Sequence, residues 1–302
     1  MEIINISGGY WTGSSALIAL LIEHEGVSVV SEEYSAFGYG ELFRNLNTNN
    51  KKKIANSKLI FEEYNKPEKY RIFRALLRVL FRKMNVFPKS IFVPRINGVK
   101  LFGSNYIRFC SKDYEKLFDC EISNQKESLG IFFNSIKSDF DSKNVDLLII
   151  DQMISPSYIK DFDIFDDSIK HIVVDRNWED QYAEIRSKLI SIVGKNIAIE
   201  VNPLNEGITS LETPHEMFLT IRRKFNKDLK ELKELNNVLI LNFEDIINYK
   251  IVVQNKVLEF LNLSETKWNE YSSFDERISR KNINKWQKLN IQSEIDFIRK
   301  RL

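Results

Sequence analysis

EIINISGGYWTGSSALIALLIE, residues 2–23, decides the fold. A short β-branched run meets a pair of glycines, and from Ser14 onward apolar residues fall at helical spacing, so the stretch reads as strand, loop, helix. Later runs repeat the strand's character. VSVV at 27–30 ends in Ser31, Glu32 and Glu33, and VDLLII at 145–150 ends at Asp151. HIVV at 171–174 ends in Asp175 and Arg176, and VLIL at 238–241 ends in Asn242, Phe243, Glu244 and Asp245. Nearly continuous apolar strands belong in a sheet buried on both faces, and polar residues at their carboxyl ends predict one shared crevice. Helical patterns fill the gaps at 178–193, 214–235 and 251–261, the second opened by Thr213, Pro214 and Glu216, the residues of a capped N-terminus. The fold class expected is therefore α/β, a P-loop-like doubly wound parallel sheet flanked by helices.

With 302 residues, 43% hydrophobic and 28% charged, the chain can bury a large core, which excludes fibrous and wholly disordered classes. Its 44 Lys/Arg and 42 Asp/Glu give a net charge of +2 and no global argument for nucleic acid or membrane. Residues 51–113 break that balance with 16 Lys/Arg against 4 Asp/Glu. The expectation is one domain over residues 1–302, interrupted by a largely helical, basic insertion at 47–143, with the Asn/Lys-rich residues 47–53 as a linker at its edge. Cys110 and Cys120 are too few for a disulfide framework, and His24, His171 and His215 lack metal-ligand spacing, so neither disulfides nor a metal is expected. The early apolar run, residues 16–22, is too short to span a bilayer and follows Glu2 rather than a basic segment. A cytoplasmic protein is expected.

Two places carry chemistry. Gly8, Gly9, Tyr10, Trp11, Thr12, Gly13, Ser14 and Ser15, between strand and helix, have the glycine spacing of a phosphate-binding loop. Glycines let backbone N–H groups turn inward, and the helix that starts here adds its positive end, so an anion can sit on the loop. Ser14 stands where a nucleotide triphosphatase has its lysine, which argues against a P-loop phosphotransferase. A glycine turn made only for packing is the alternative. Arg176 reaches the same crevice from another strand, where its guanidinium can fork onto a second phosphate; a surface ion pair with Glu179 or Asp180 is the competing reading.

GGYWTGSSALIALL at 8–21, HIVVDRNWEDQYAEIR at 171–186, LILNFEDI at 239–246 with VLEFLNL at 257–263, and RKNINKWQK at 280–288 together resemble the sulfotransferases that use 3′-phosphoadenosine 5′-phosphosulfate (PAPS), particularly bacterial, carbohydrate-type members. The resemblance covers the start and roughly the last 160 residues, not the basic insertion. It implies that residues from Gly9 through Ala16 hold the 5′-phosphosulfate, with Thr12, Gly13, Ser14 and Ser15 in the family's S-G-T-T places. Arg176 would bind the 3′-phosphate. The stretch 280–288 would close over the nucleotide, with Lys281 and Lys285 as cations and Trp286 as a packing anchor, while Glu244 and Asp245 would be structural. Three positions depart from the pattern. Trp11 replaces a Lys or Arg that assists the leaving oxygen, Glu184 replaces a serine at the 3′-phosphate, and Asp151-Gln152 stands where some members have histidine. An altered-donor or non-catalytic member that grips an anionic glycan is the alternative these positions suggest.

Sulfuryl transfer is then expected to need positioning and electrostatic stabilisation, no metal, and a carboxylate to take the acceptor's proton. Ser14 would hold the donor, and Glu33 matches a glutamate that carbohydrate-type members turn to the acceptor, with Glu32 and Asp151 as rivals. In the insertion, Arg71, Arg74, Arg78 and Arg82 fall on one helical face, with Phe73, Leu76, Leu77 and Leu80 opposite. That face is either a plain solvated surface or the seat of an anionic carbohydrate acceptor, such as an acidic glycan or a lipid-linked saccharide at the inner membrane face. Nucleic acid is not expected, since the block carries no known binding module.

Overall fold

A computed structural model describes residues 2–9, 12–30, 106–107, 137, 145–151, 154–163, 169–192, 213–263, 268 and 274–302. Its sheet is built from β1 (Glu2–Gly8), β2 (Val27–Val30), β3 (Tyr106–Ile107), β4 (Leu147–Asp151), β5 (Lys170–Asp175) and β6 (Val238–Asn242). The strand order is β3-β2-β4-β1-β5-β6, and every pairing is parallel. The first strand in sequence thus lies between β4 and β5, so the loop that leaves it opens at the middle of the sheet. Each apolar run expected to be a strand is one. The edge strand β3 was not anticipated: two residues of the insertion, too few to show a period, pair beside Val29 and Val30. Of the expected helical insertion at 47–143, almost everything else lies outside the described residues; Lys137 is helical.

The helices are α1 (Ser14–Leu21), α2 (Pro156–Asp163), α3 (Trp178–Ile192), α4 (Pro214–Leu232), α5 (Phe243–Asn248), α6 (Lys250–Leu261), α7 (Glu276–Arg280) and α8 (Gln292–Arg299), with a 3-10 turn at Lys285–Lys288. At the start of α4, Thr213 N donates to Glu216 Oε2 at 2.9 Å, and Pro214 occupies the first turn, where no N–H is needed.

Strand alternation divides the core. Ile4, Ile6, Ile149, Ile172, Val174 and Leu241 point to one face and pack with α1, α5 and α6. Ile3, Leu148, Ile150 and Val173, of opposite parity, are equally buried. A second cluster, including Tyr182, Phe218, Leu219, Ile295 and Ile298, joins α3, α4 and α8. The sheet is therefore dry on both faces, as its unbroken apolar strands require.

Several polar strand residues are set into this interior, Asn5, Ser7 and His171 among them. Asn5, fully buried in the central strand, donates through Nδ2 to Ile154 O at 2.9 Å and accepts from Ile154 N at 3.0 Å. The Asn5 amide also lies 3.3 Å from His171 Nδ1 on β5. A single amide thus satisfies both backbone groups of the residue that follows β4 into α2, groups that would otherwise be buried without partners. Asn5→Ala strands both of them, so a loss of about 2–4 kcal/mol in unfolding free energy is expected, read as a lower urea midpoint at unchanged slope.

Candidate functional site

The loop after β1 owes its shape to two close approaches. A Cβ at Gly8 would overlap the Thr12 hydroxyl and lie 2.7 Å from the Val174 carbonyl oxygen, so only glycine lets β1 run this near β5. Gly13, at φ 91° and ψ 22°, turns the chain into α1 in the left-handed region, and a Cβ there would overlap the Phe243 ring. Between them Thr12 closes the turn, its hydroxyl donating to Gly9 O at 2.9 Å. Helix α1 then starts from Gly13, which has no side chain to cap it, and Ala16 N donates to Gly13 O at 2.9 Å. Ser14 is buried and Ser15 exposed. Tyr10 and Trp11 lie outside the described residues.

Phe243 links this loop to Arg176. The ring that fills the space left by Gly13 also lies under the Arg176 guanidinium, 4.9 Å from its centroid. Arg176 is 4% exposed, so it is not a surface residue; of the two carboxylates considered for it, Glu179 meets Arg299 at 3.4 Å, while Asp180 acts on the guanidinium charge. One Arg176 Nη donates to Asn282 O at 2.6 Å. Burial lowers the Arg176 pKa from its ordinary value, while Asp180, Glu184 and Glu244 act in the opposite direction. The Glu244 carboxyl is raised, chiefly by burial, against the pull of the Asn177 N–H it accepts at 3.1 Å and of Arg176. Glu244 thus ties α5 to the residue after Arg176, the structural part expected of it. Asp245 accepts from Asn242 Nδ2 at 3.2 Å.

The stretch 280–288 lies against the first turns of α3. Asp180 accepts from Asn284 N at 2.7 Å and Trp286 N at 3.2 Å. Lys285 Nζ meets Glu184 Oε2 at 2.5 Å, and Trp286 packs on the α3–α4–α8 cluster as an anchor should. The structure therefore brings Arg176, Glu184 and Lys285 to one end of the crevice. Lys281 is exposed at the end of α7. Asp151, 3% exposed, ends β4 beside Ile6 on the face that α1 covers. Glu33, with its rival Glu32 and with Gln152, lies outside the described residues.

Arg222 on α4 completes the floor, and sequence reasoning does not single it out. Its two terminal nitrogens reach the Asp175 carboxylate at 2.8 and 3.3 Å, and Nη1 also reaches Gln181 Oε1 at 3.0 Å. Asp175 accepts in turn from Arg176 N at 2.7 Å, and the Gln181 amide lies 3.2 Å from where a Gly9 side chain would begin. One buried guanidinium thus holds the end of β5, the start of α3 and the underside of the loop. A basic run with Arg223 and Lys224 hides it in the sequence; its helical phase, shared with Phe218 and Phe225, is the available signal. Arg222→Met leaves Asp175 and Gln181 without their partner and is expected to lose about 3 kcal/mol of stability, with Arg222→Lys recovering only part because an ammonium cannot fork. Chemical denaturation of the two variants checks this.

No protein-family model matches this chain, and no curated protein sequence does. Among solved structures it is similar in fold to the sulfotransferase domain from the curacin biosynthetic pathway, at 11% identity and a TM-score of 0.41, over 98% of each chain. It is also similar to sulfotransferase STF9 from Mycobacterium avium, at 8% identity and a TM-score of 0.42, over 92% of this chain and 67% of that one. Likenesses at this level leave the chemistry to be read from the residues.

Proposed function

We propose that this chain is a sulfotransferase that moves a sulfuryl group from PAPS to a hydroxyl of a carbohydrate. The observation that carries the reading is the shared seat of Gly13 and Arg176 on the Phe243 ring, which sets a buried guanidinium one aromatic ring away from a glycine loop. A donor with an anionic group at each end of a nucleoside needs two such anion sites side by side. The residues present fit it: the loop amides with Ser14 and Ser15 for the 5′-phosphosulfate, and Arg176 for the 3′-phosphate. The donor supplies an activated sulfuryl group; the protein orients it and stabilises the charge that gathers on its oxygens. A carboxylate takes the acceptor's proton, and Glu33 is the proposed base ahead of Glu32 and Asp151.

Arg71, Arg74, Arg78 and Arg82, which lie outside the described residues, suit an acceptor that is itself anionic or lipid-linked, met at the inner face of a membrane. No helix among the described residues is long and apolar enough to cross a bilayer. Among those residues no group of three or more His, Cys, Asp or Glu is placed to hold a metal ion. A second reading, an altered-donor or non-catalytic protein, is favoured by one observation, the Glu184 carboxylate near Arg176.

The test is binding of adenosine 3′,5′-bisphosphate. At a hundredfold excess over its Kd a ligand adds about 2.7 kcal/mol to stability, which reads as a clear rise in Tm. The rise is expected for the wild-type chain and is expected to disappear in Arg176→Ala. A wild-type chain whose Tm stays fixed at saturating nucleotide would refute the reading.

A further inference from the structure

We propose that Glu184 is a positioning residue that holds the Lys285 ammonium beside Arg176, so that both cations meet the 3′-phosphate of the donor. This rests on the PAPS-dependent reading above. A lone carboxylate at such a place would repel a phosphate, and in the sequence Glu184 looks like an obstacle. The structure gives it a partner 101 residues away. Lys285 Nζ stands 2.5 Å from Glu184 Oε2, with the lysine side chain 25% and the glutamate side chain 10% exposed. An ammonium has three N–H donors, and a carboxylate at this distance takes one of them. A quarter of the Lys285 side chain stays exposed beside this pair.

The backbone is built to hold the lysine there. Asn284 takes the left-handed conformation at φ 56°, which turns the chain back toward α3 immediately before Lys285. Asp180, one helical turn before Glu184 and on the same face, fixes that bend by accepting from the N–H groups on both sides of Lys285, those of Asn284 and Trp286. Three residues upstream of Lys285, the Asn282 carbonyl is held by Arg176 itself. The same short segment is therefore tied at one end to the arginine and at the other to the glutamate. Glu184 lies near enough to Arg176 for its charge to act on the guanidinium, and the ties through Asn282 and Lys285 hold the segment to both residues. Both acidic side chains on this face of α3 are thereby committed to the segment that carries Lys285, and the Glu184 charge is met before any nucleotide arrives.

The experiment compares adenosine 3′,5′-bisphosphate with adenosine 5′-monophosphate, which differ only in the 3′-phosphate, by calorimetric titration of the wild type, Glu184→Gln, Lys285→Met and the double variant. Loss of a charge-assisted hydrogen bond predicts bisphosphate binding weaker by about tenfold in either single variant, with the monophosphate changed by less than about twofold. The double variant should bind about as weakly as Lys285→Met, because the lysine is the group that meets the phosphate. Tighter bisphosphate binding by Glu184→Gln would show a repulsive carboxylate and overturn the proposal. Equal weakening of both nucleotides would overturn it too, since a purely structural tie between α3 and the 3-10 turn cannot sense the 3′-phosphate. If the wild type binds the bisphosphate and Glu184→Gln binds it unchanged, this proposal alone falls. If the wild type binds neither nucleotide, the donor reading falls with it.

Discussion

The seat of the Phe243 ring is the contact on which the crevice depends. The missing side chain of Gly13 opens a slot, the ring enters it from the end of β6, and Arg176 lies on the ring from the end of β5. Three segments spread between residues 13 and 243 of the chain are thereby fixed to one another through a single aromatic group. A larger residue at position 13 would push the ring out, and both the helix start and the guanidinium would follow.

Around that seat the polar contacts are arranged in two tiers. Below the loop, Arg222 gathers Asp175 and Gln181, so the end of β5 and the start of α3 move as one piece with α4. Above it, Asp180 and Glu184 draw the late segment onto the same helix. Further along α3, Tyr182 and Arg186 bind the Glu294 carboxylate, which anchors α8. Burial and the Glu294 bond raise the Tyr182 hydroxyl pKa well above its usual range, so it remains a donor in this tie. One helix thus supplies contacts to the loop floor, the segment 280–288 and the C-terminal helix, with Asp180 and Glu184, and Tyr182 and Arg186, each spaced four apart.

The strands and the loop were legible because they rest on local patterns. An apolar run of four to six residues with a polar end has one good use in a sheet covered on both faces, and Gly13 before a helical period marks the turn. The capping box at Thr213 was equally plain. The two residues of β3 were not, since no period fits in so short a segment. Arg222 and the Glu184–Lys285 pair were missed or misread for another reason. Their meaning lies in a partner 41 to 101 residues away, and a charged side chain in the sequence looks the same whether it faces solvent, a phosphate or an opposite charge. Burial decides among these, and burial is a property of the assembled sheet.

The order of the strands also bears on how the chain is made. β1 pairs only with β4 and β5 among the described strands, so both of its edges stay open until residues up to 151 and 175 have been added. At ordinary rates of synthesis that wait is on the order of ten seconds, during which a strand carrying Ile3, Ile4 and Ile6 has exposed hydrogen-bonding edges. Parallel pairing across such separations is slow to nucleate as well. The central position that makes β1 the bearer of the glycine loop therefore makes it a segment in need of protection on the nascent chain.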